Sequence, residues 1–217
     1  MKFNHITQIQ SRRTIFDLTK GFTDESTPPT IDELSRTFHG DGVELAASAC
    51  VKAMEEAGLQ SHDATHVVAV TCTDQSNPGY DLLVCNKLKL RSSVQRTLLH
   101  GVGCAGGLSA LRAATNIAAA ESQRGRPARI LVMACELCSL FLKAELDAAS
   151  RDDNLHIAPA LFSDAAAALV VCNGLALKQD QKPIYELQEC GSMLVPDTTE
   201  YMSYEITSNG KLLLSIT

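Results

Sequence analysis

The chain has 217 residues, 45% of them hydrophobic, and its 25 acidic and 19 basic side chains leave a net charge of -6. That length can bury a sizeable core as one large domain, and the acidic balance excludes nucleic acid as the main partner because phosphate binding relies on a basic surface. The amino terminus MKFNHITQIQSRRTIF lacks the apolar run of a signal peptide, and no segment reaches the ~20 apolar residues that span a bilayer, so a cytoplasmic protein without membrane attachment is expected.

The first forty residues read as a helix or strand remnant and a loop, broken at Thr27, Pro28, Pro29 and Thr30. A short helix is expected from Thr30 to Phe38. From Gly42 to Gly58, GVELAASACVKAMEEAG sets Val43, Ala46, Ala47, Cys50, Met54 and Ala57 on one helical face and stops at a glycine. HVVAVTCT, His66 to Thr73, is a short β-branched run suited to a buried parallel strand. The loop DQSNPGYD leads into a helix from about Leu82 to Leu88, and Val94 to Leu99 is the next strand. An Ala-rich helix, Leu108 to Glu121, and a strand, Ile130 to Cys135, flank the basic loop RGRPAR. Leu161 to Cys172 starts as a helical turn and ends as a strand, and Ile184 to Cys190 and Lys211 to Ile216 are two further strand candidates, the chain ending in mid-strand. Alternating strands and helices, abundant Ala, Val and Leu and no Trp indicate an α/β fold of βαβ units, with a mostly parallel sheet covered by helices on both faces.

Eight cysteines without an export signal are expected to be reduced thiols. Cys50, Cys72, Cys85, Cys104, Cys135 and Cys172 lie in apolar segments and read as core residues. Cys135 and Cys138 form a lone CxxC, with no second pair or suitable His pair to complete a metal site. Cys104 has a second reading. It follows Gly-Val-Gly at a strand-to-helix turn, where the partial positive charge of a helix amino terminus stabilises a thiolate and unpaired N–H groups can face an oxyanion. From spacing alone, an acyl-accepting nucleophile and a small core residue beside a tight turn fit equally well. No P-loop or complete dinucleotide fingerprint fits the same glycines.

HGVGCAGG, followed by LSALRAATNIAAAE and RGRPARILVMACE, resembles the nucleophile region of fungal type III polyketide synthases of the chalcone-synthase kind. TCTDQSNPGYDLLVCNKLKLRSSVQR and ALFSDAAAALVVC extend the resemblance, in the family's order, over nearly the whole chain. It implies a thiolase-like fold, of which residues 1–217 form one partial amino-terminal domain, an incomplete half. It also implies an acyltransferase with no permanently bound cofactor. Such an enzyme moves an acyl group from acyl-CoA onto Cys104, decarboxylates malonyl-CoA and condenses the two. A homodimer, or association with a complementary thiolase-fold chain, is implied as well. By position, Phe162 matches the gatekeeper between coenzyme A tunnel and active site, Cys72, Thr73 and Cys138 match pocket walls, and Asn77 matches a dimer contact.

The family's catalytic His and Asn belong to its carboxy-terminal half, so impaired condensation and uncovered apolar surface are expected of this chain. His100 and His156 are disfavoured as substitutes for that base; His100 precedes the turn by four residues and is expected to point elsewhere. The resemblance begins after the helix of basic coenzyme A contacts, leaving Lys2, Arg12 and Arg13 as basic candidates. Two alternatives stand beside this reading. One is a non-catalytic interaction subunit; the other is a different thiolase-fold condensing enzyme, against which the Phe162 segment and the NPGYD loop speak.

Overall fold

The valine-rich run His66–Val70 (β1) forms a strand buried along its whole length, as β-branched residues favour. The computed structural model describes residues 2–17, 28–151, 157–178, 181–199, 201–206 and 212–216; Thr27, His156, Lys211 and the side chain of Lys2 lie outside that description. The chain divides into two compact units, one of His39–Cys135 and Ala166–Ser192, the other of Met1–Phe38, Glu136–Ala165 and Met193–Thr217.

In the first unit, β1 pairs in parallel with Gln95–Leu99 (β2), Val70 opposite Leu99, and with Arg129–Leu137 (β3), Val70 opposite Ala134. Asp164–Cys172 (β4) completes the sheet in the order β2-β1-β3-β4. Side chains alternate across a strand, so Val68, Val70, Ile130 and Val132 share one face. Against it packs the helix Gly106–Gln123 (α5) through Ala110, Ala114 and Ala118, whose four-residue spacing makes a smooth stripe. Met133 points the other way and meets Cys50 of the helix Val43–Glu56 (α3), Sγ to Sδ 3.5 Å. Helices thus lie on both faces, as expected.

Two details fix the frame. The α3 helix ends at Gly58, which takes φ +64°, while Leu59 N donates to Met54 O at 2.8 Å and closes the last turn. Tyr80, fully buried at the start of Tyr80–Lys87 (α4), donates its hydroxyl to Val70 O at 2.9 Å and so joins that helix to the end of β1.

The second unit contains Lys2–Thr7 (α1), Ile31–Thr37 (α2), Leu142–Ala149 (α6), Ala158–Leu161 (α7) and an antiparallel pair, Met202–Ile206 (β5) with Leu212–Ile216 (β6). The start of α2 is set by a capping box: Thr30 N donates to Glu33 Oε2 at 2.7 Å and Glu33 N to Thr30 Oγ1 at 3.3 Å.

Several expectations need correction. The strand expected through Thr73 stops at Val70, and the helix expected from Leu82 begins at Tyr80. Strand β3 runs past Cys135 to Leu137, and α5 starts two residues before Leu108. Ile184 to Cys190 is not a strand; Ile184 and Tyr185 are 74% and 85% exposed. An apolar, β-branched run becomes a strand only where a neighbour takes its hydrogen bonds. Strand β5 was not expected, although Met-Ser-Tyr-Glu-Ile alternates apolar and polar residues with period two; it pairs antiparallel with β6.

Candidate functional site

The parallel register of β1 and β2 brings their carboxyl ends to one edge of the sheet, where ligands bind in open α/β folds. There the chain leaves β2 through His100 and Val102, makes a 3-10 turn at Gly103–Ala105 and enters α5 at Gly106. Gly101 and Gly103 take φ +71° and +51°, the left-handed region that other residues enter at a cost. Gly106 serves a different purpose, close approach: a Cβ there would lie 2.7 Å from Val70 Cγ2. The turn is thereby drawn onto the end of β1.

Cys104 is exposed in this turn, and no side chain caps the amino end of α5 that follows it. The core reading of Cys104 is therefore wrong, because the turn lifts it out of the packed layers. Cys50 and Cys85 behave as core thiols: burial pushes Cys50 up to about 12 and Cys85 up to about 11, so both are protonated at neutral pH. Cys172 is half-buried and raised by burial as well. The structure joins none of the eight cysteines, all among the described residues, in a disulfide.

Beyond β1, Cys72 is half-buried and Thr73 buried. Thr73 N donates to Thr71 Oγ1 at 3.1 Å, and the two hydroxyl oxygens lie 3.2 Å apart, which fixes the strand exit. Buried Asp74 accepts from Ser76 Oγ at 2.7 Å and faces His39 Nε2 at 3.3 Å. That pair was not legible in the sequence, since His39 and Asp74 are 35 positions apart (74 − 39) and share no motif. Asn77 is exposed, ahead of a cis bond to Pro78. Gly79 permits another close approach, a Cβ there lying 2.2 Å from Leu98 Cδ2.

His100 Nδ1 lies 3.2 Å from Thr71 O. A carbonyl only accepts, so Nδ1 carries the proton and the ring is tied to the end of β1. Among the described residues no group of three His, Cys, Asp or Glu side chains could hold a metal ion. Cys135, the first cysteine of the CxxC, donates to Gly42 O at 3.5 Å.

Cys138 and Phe162 belong to the second unit. Cys138 opens a 3-10 turn after β3 and is half-buried. Phe162 follows α7, also half-buried, with extended backbone (φ -96°, ψ 154°). Arg12 is not displayed for an anion: its guanidinium donates to Ala160 O (Nε, 2.8 Å) and to Asn4 Oδ1 (Nη1, 2.9 Å). Arg13 is exposed. No helix among the described residues is long and apolar enough to cross a membrane.

Comparison with known proteins agrees with this geometry. Residues 9–174 match the family model for chalcone and stilbene synthases, N-terminal domain. The chain is 45% identical over 208 residues to the type III polyketide synthase pspB of Penicillium soppii, covering 94% of this chain and 52% of that protein. It is 36% identical to the acylalkylpyrone synthase csyB of Aspergillus oryzae, covering 97% and 53% respectively. Among solved structures, the fungal type III polyketide synthase ORAS superposes with a TM-score of 0.93 at 39% identity, and CsyB complexed with CoA-SH with 0.94 at 35%. Each match covers 99% of this chain and 57% of that one. The chain spans about half the length of the curated relatives it matches. With a thiolase-like layer structure and the glycine-rich cysteine turn in the family's order, the chain belongs to the chalcone and stilbene synthase family, whose amino-terminal domain it carries.

Proposed function

We propose that this chain is an acyltransferase of the type III polyketide synthase kind, accepting an acyl group from acyl-CoA on Cys104. The carrying observation is the exposed Cys104 thiol, on a turn that leads into the amino end of α5. In the step, the sulfur attacks the thioester carbonyl and forms a new carbon–sulfur bond. The bond to coenzyme A breaks, and coenzyme A leaves as the thiol with the proton Cys104 gives up. Backbone N–H groups at the start of α5 offer positive potential for the oxyanion between these events.

By the family resemblance, residues 1–217 act as one partial domain in which Cys72, Thr73 and Cys138 line the substrate pocket and Phe162 gates it. Acyl-CoA and malonyl-CoA are the substrates, with no permanently bound cofactor; the CoA-bound structure of the CsyB relative supports coenzyme A thioesters as the ligand class. Decarboxylation and condensation call for the His and Asn that the family carries in its other half, so this reading assigns acyl loading to the residues described and condensation to a complementary half. A cytoplasmic location belongs to it, since thiols remain reduced there.

The test is incubation of folded protein with mass-tagged acyl-CoA. One acyl adduct on Cys104, absent in Cys104→Ala, is expected. Folded protein that takes up no acyl group would remove the proposal.

A second reading, self-association or pairing with a complementary chain, is favoured by β2. That strand ends the sheet, and its Gln95, Arg96 and Thr97 are exposed, leaving one edge able to receive another strand. Light scattering after size exclusion checks it: a dimer, or a complex with a co-expressed partner half, is expected, and a persistent monomer in both settings counts against it.

A further inference from the structure

Phe162 and Ser163 form the short link between α7 and β4, and the backbone on both sides of Phe162 is held by the amino-terminal segment of the same unit. On the near side, Arg12 donates Nε to Ala160 O at 2.8 Å and adds a second bond to that oxygen from Nη2. On the far side, Arg13 N donates to Ser163 Oγ at 3.2 Å, and Asp164 N donates to Arg13 O at 2.8 Å. The Asp164 carboxylate then reaches back, accepting from Ile15 N at 2.8 Å. Residues 12–15 thus run beside residues 160–164 and bond to them two positions before Phe162, one position after it and two positions after it.

Asp164 has a second set of partners. Its other oxygen accepts from Ser139 N at 2.8 Å, and Ser139 Oγ donates to Oδ2 as well. Ser139 follows Cys138 directly in the 3-10 turn after β3. A buried carboxylate with three donors is therefore shared by the backbone around Phe162, the backbone beside Cys138 and the amino-terminal segment. Hydrogen bonds to an ionised acceptor are roughly twice as strong as neutral ones. Phe162 itself is half-buried, and side chains at functional positions rely on such supporting hydrogen bonds to hold their geometry.

We infer that Arg12 and Asp164 are positioning residues for Phe162, through a clamp in which the amino-terminal segment fixes the turn that bears it. This rests on the reading of Phe162 as the gate. Arg12 suits the task because its planar fork holds Ala160 O with two N–H groups while Nη1 reaches Asn4 Oδ1, a geometry that a lysine ammonium cannot reproduce. The clamp sets how an acyl chain is admitted and oriented, and it leaves the intrinsic reactivity of the Cys104 sulfur alone.

The protein contains no tryptophan, so Phe162→Trp installs a single fluorescent reporter at the gate. In that background Arg12→Ala, Arg12→Lys, Asp164→Asn and the milder Ser163→Ala are compared with the parent by emission maximum, anisotropy and circular dichroism. Red-shifted, depolarised emission is expected in Arg12→Ala and Asp164→Asn at unchanged helix content, with Arg12→Lys failing to restore the parent signal and Ser163→Ala intermediate.

With Phe162 intact, Arg12→Ala is expected to raise the half-saturating concentration for acyl-CoA by up to about a hundredfold, the order that lost positioning carries, and to leave alkylation of Cys104 by iodoacetamide unchanged. A reporter signal identical to the parent in folded Arg12→Ala and Asp164→Asn overturns the clamp. Should those two fail to fold, Ser163→Ala decides, and a parent-like signal there overturns it equally. If the parent forms no acyl adduct, the acyltransferase reading fails, whereas the reporter comparison still judges the clamp.

Discussion

The two ends of α5 solve opposite problems with one helix. At the amino end, Ala105 offers no capping side chain, glycines occupy the turn and the first two helical positions, and Cys104 is exposed. At the carboxyl end side chains tie the chain down. Glu121 accepts from Arg126 (Nε, 2.6 Å) and Arg124 (Nη1, 2.8 Å), and buried Asn173 accepts from Ala128 N at 3.0 Å while donating to Arg126 O at 2.8 Å. The contrast teaches where this domain keeps backbone potential available. Side-chain caps would stabilise the amino end, but they would occupy the N–H groups that the proposed acyl transfer would direct at the acyl oxygen.

The largest expected effect concerns the thiols. At pH 8 a thiol at about 12, such as Cys50, is ionised in about one molecule in ten thousand, so iodoacetamide should modify Cys104 to completion while Cys50 stays unlabelled in folded protein. Peptide mass mapping reads this, and equal labelling of the two would break the contrast. Next comes Gly106→Val, which drives side-chain atoms into Val70 at the amino end. A loss of about 2–3 kcal/mol on urea unfolding is expected, together with slower labelling of Cys104 as the turn is pushed off β1.

At the other end, Asn173→Ala strands the Ala128 N–H and the Arg126 carbonyl. It should cost about 1–2 kcal/mol while the Cys104 labelling rate stays at the parent value. A change in that rate would show the two ends to be coupled.

The smallest effect is a pH dependence. Hydrogen bonds from Arg126, then Arg124, hold the Glu121 carboxyl down from 4.5 to about 2. A carboxyl lowered on folding stabilises the native state above its unfolded value, and that contribution is lost as pH falls from 4.5 towards 2. Glu121→Gln should therefore lower Tm above pH 5 and flatten its decline below pH 4.5 in a thermal series. A decline identical to the parent would assign the acid sensitivity to other groups.

Legibility in the sequence tracked the range of the interactions. The β1 strand, the Ala stripe of α5 and the stop at Gly58 are local patterns, and they appeared where periodicity and glycine placement put them. Ile184 to Cys190 was misread because its pattern suits a strand, whereas β-structure depends on a partner, and this segment pairs with none among the described residues. Cys104 carried a turn signal but no exposure signal, and its surroundings read equally well as core. The separate purposes of Gly101 and Gly103, which supply positive φ, and of Gly106, which admits Val70, appear only once β1 lies beside the turn. Arg12 was read as a basic candidate for coenzyme A, yet its fork closes on Ala160, 148 positions away.

From the sequence alone come the α/β class, the order of the strands and helices around Cys104, and the family, because these rest on short-range periodicity and on motifs carried in one order. Tertiary structure decided which cysteines are exposed, which glycines are required by contact, and that Asp164 and Arg12 close on the turn of Phe162. Those outcomes depend on residues far apart in the chain meeting at hydrogen-bond distance, and no local pattern encodes such a meeting.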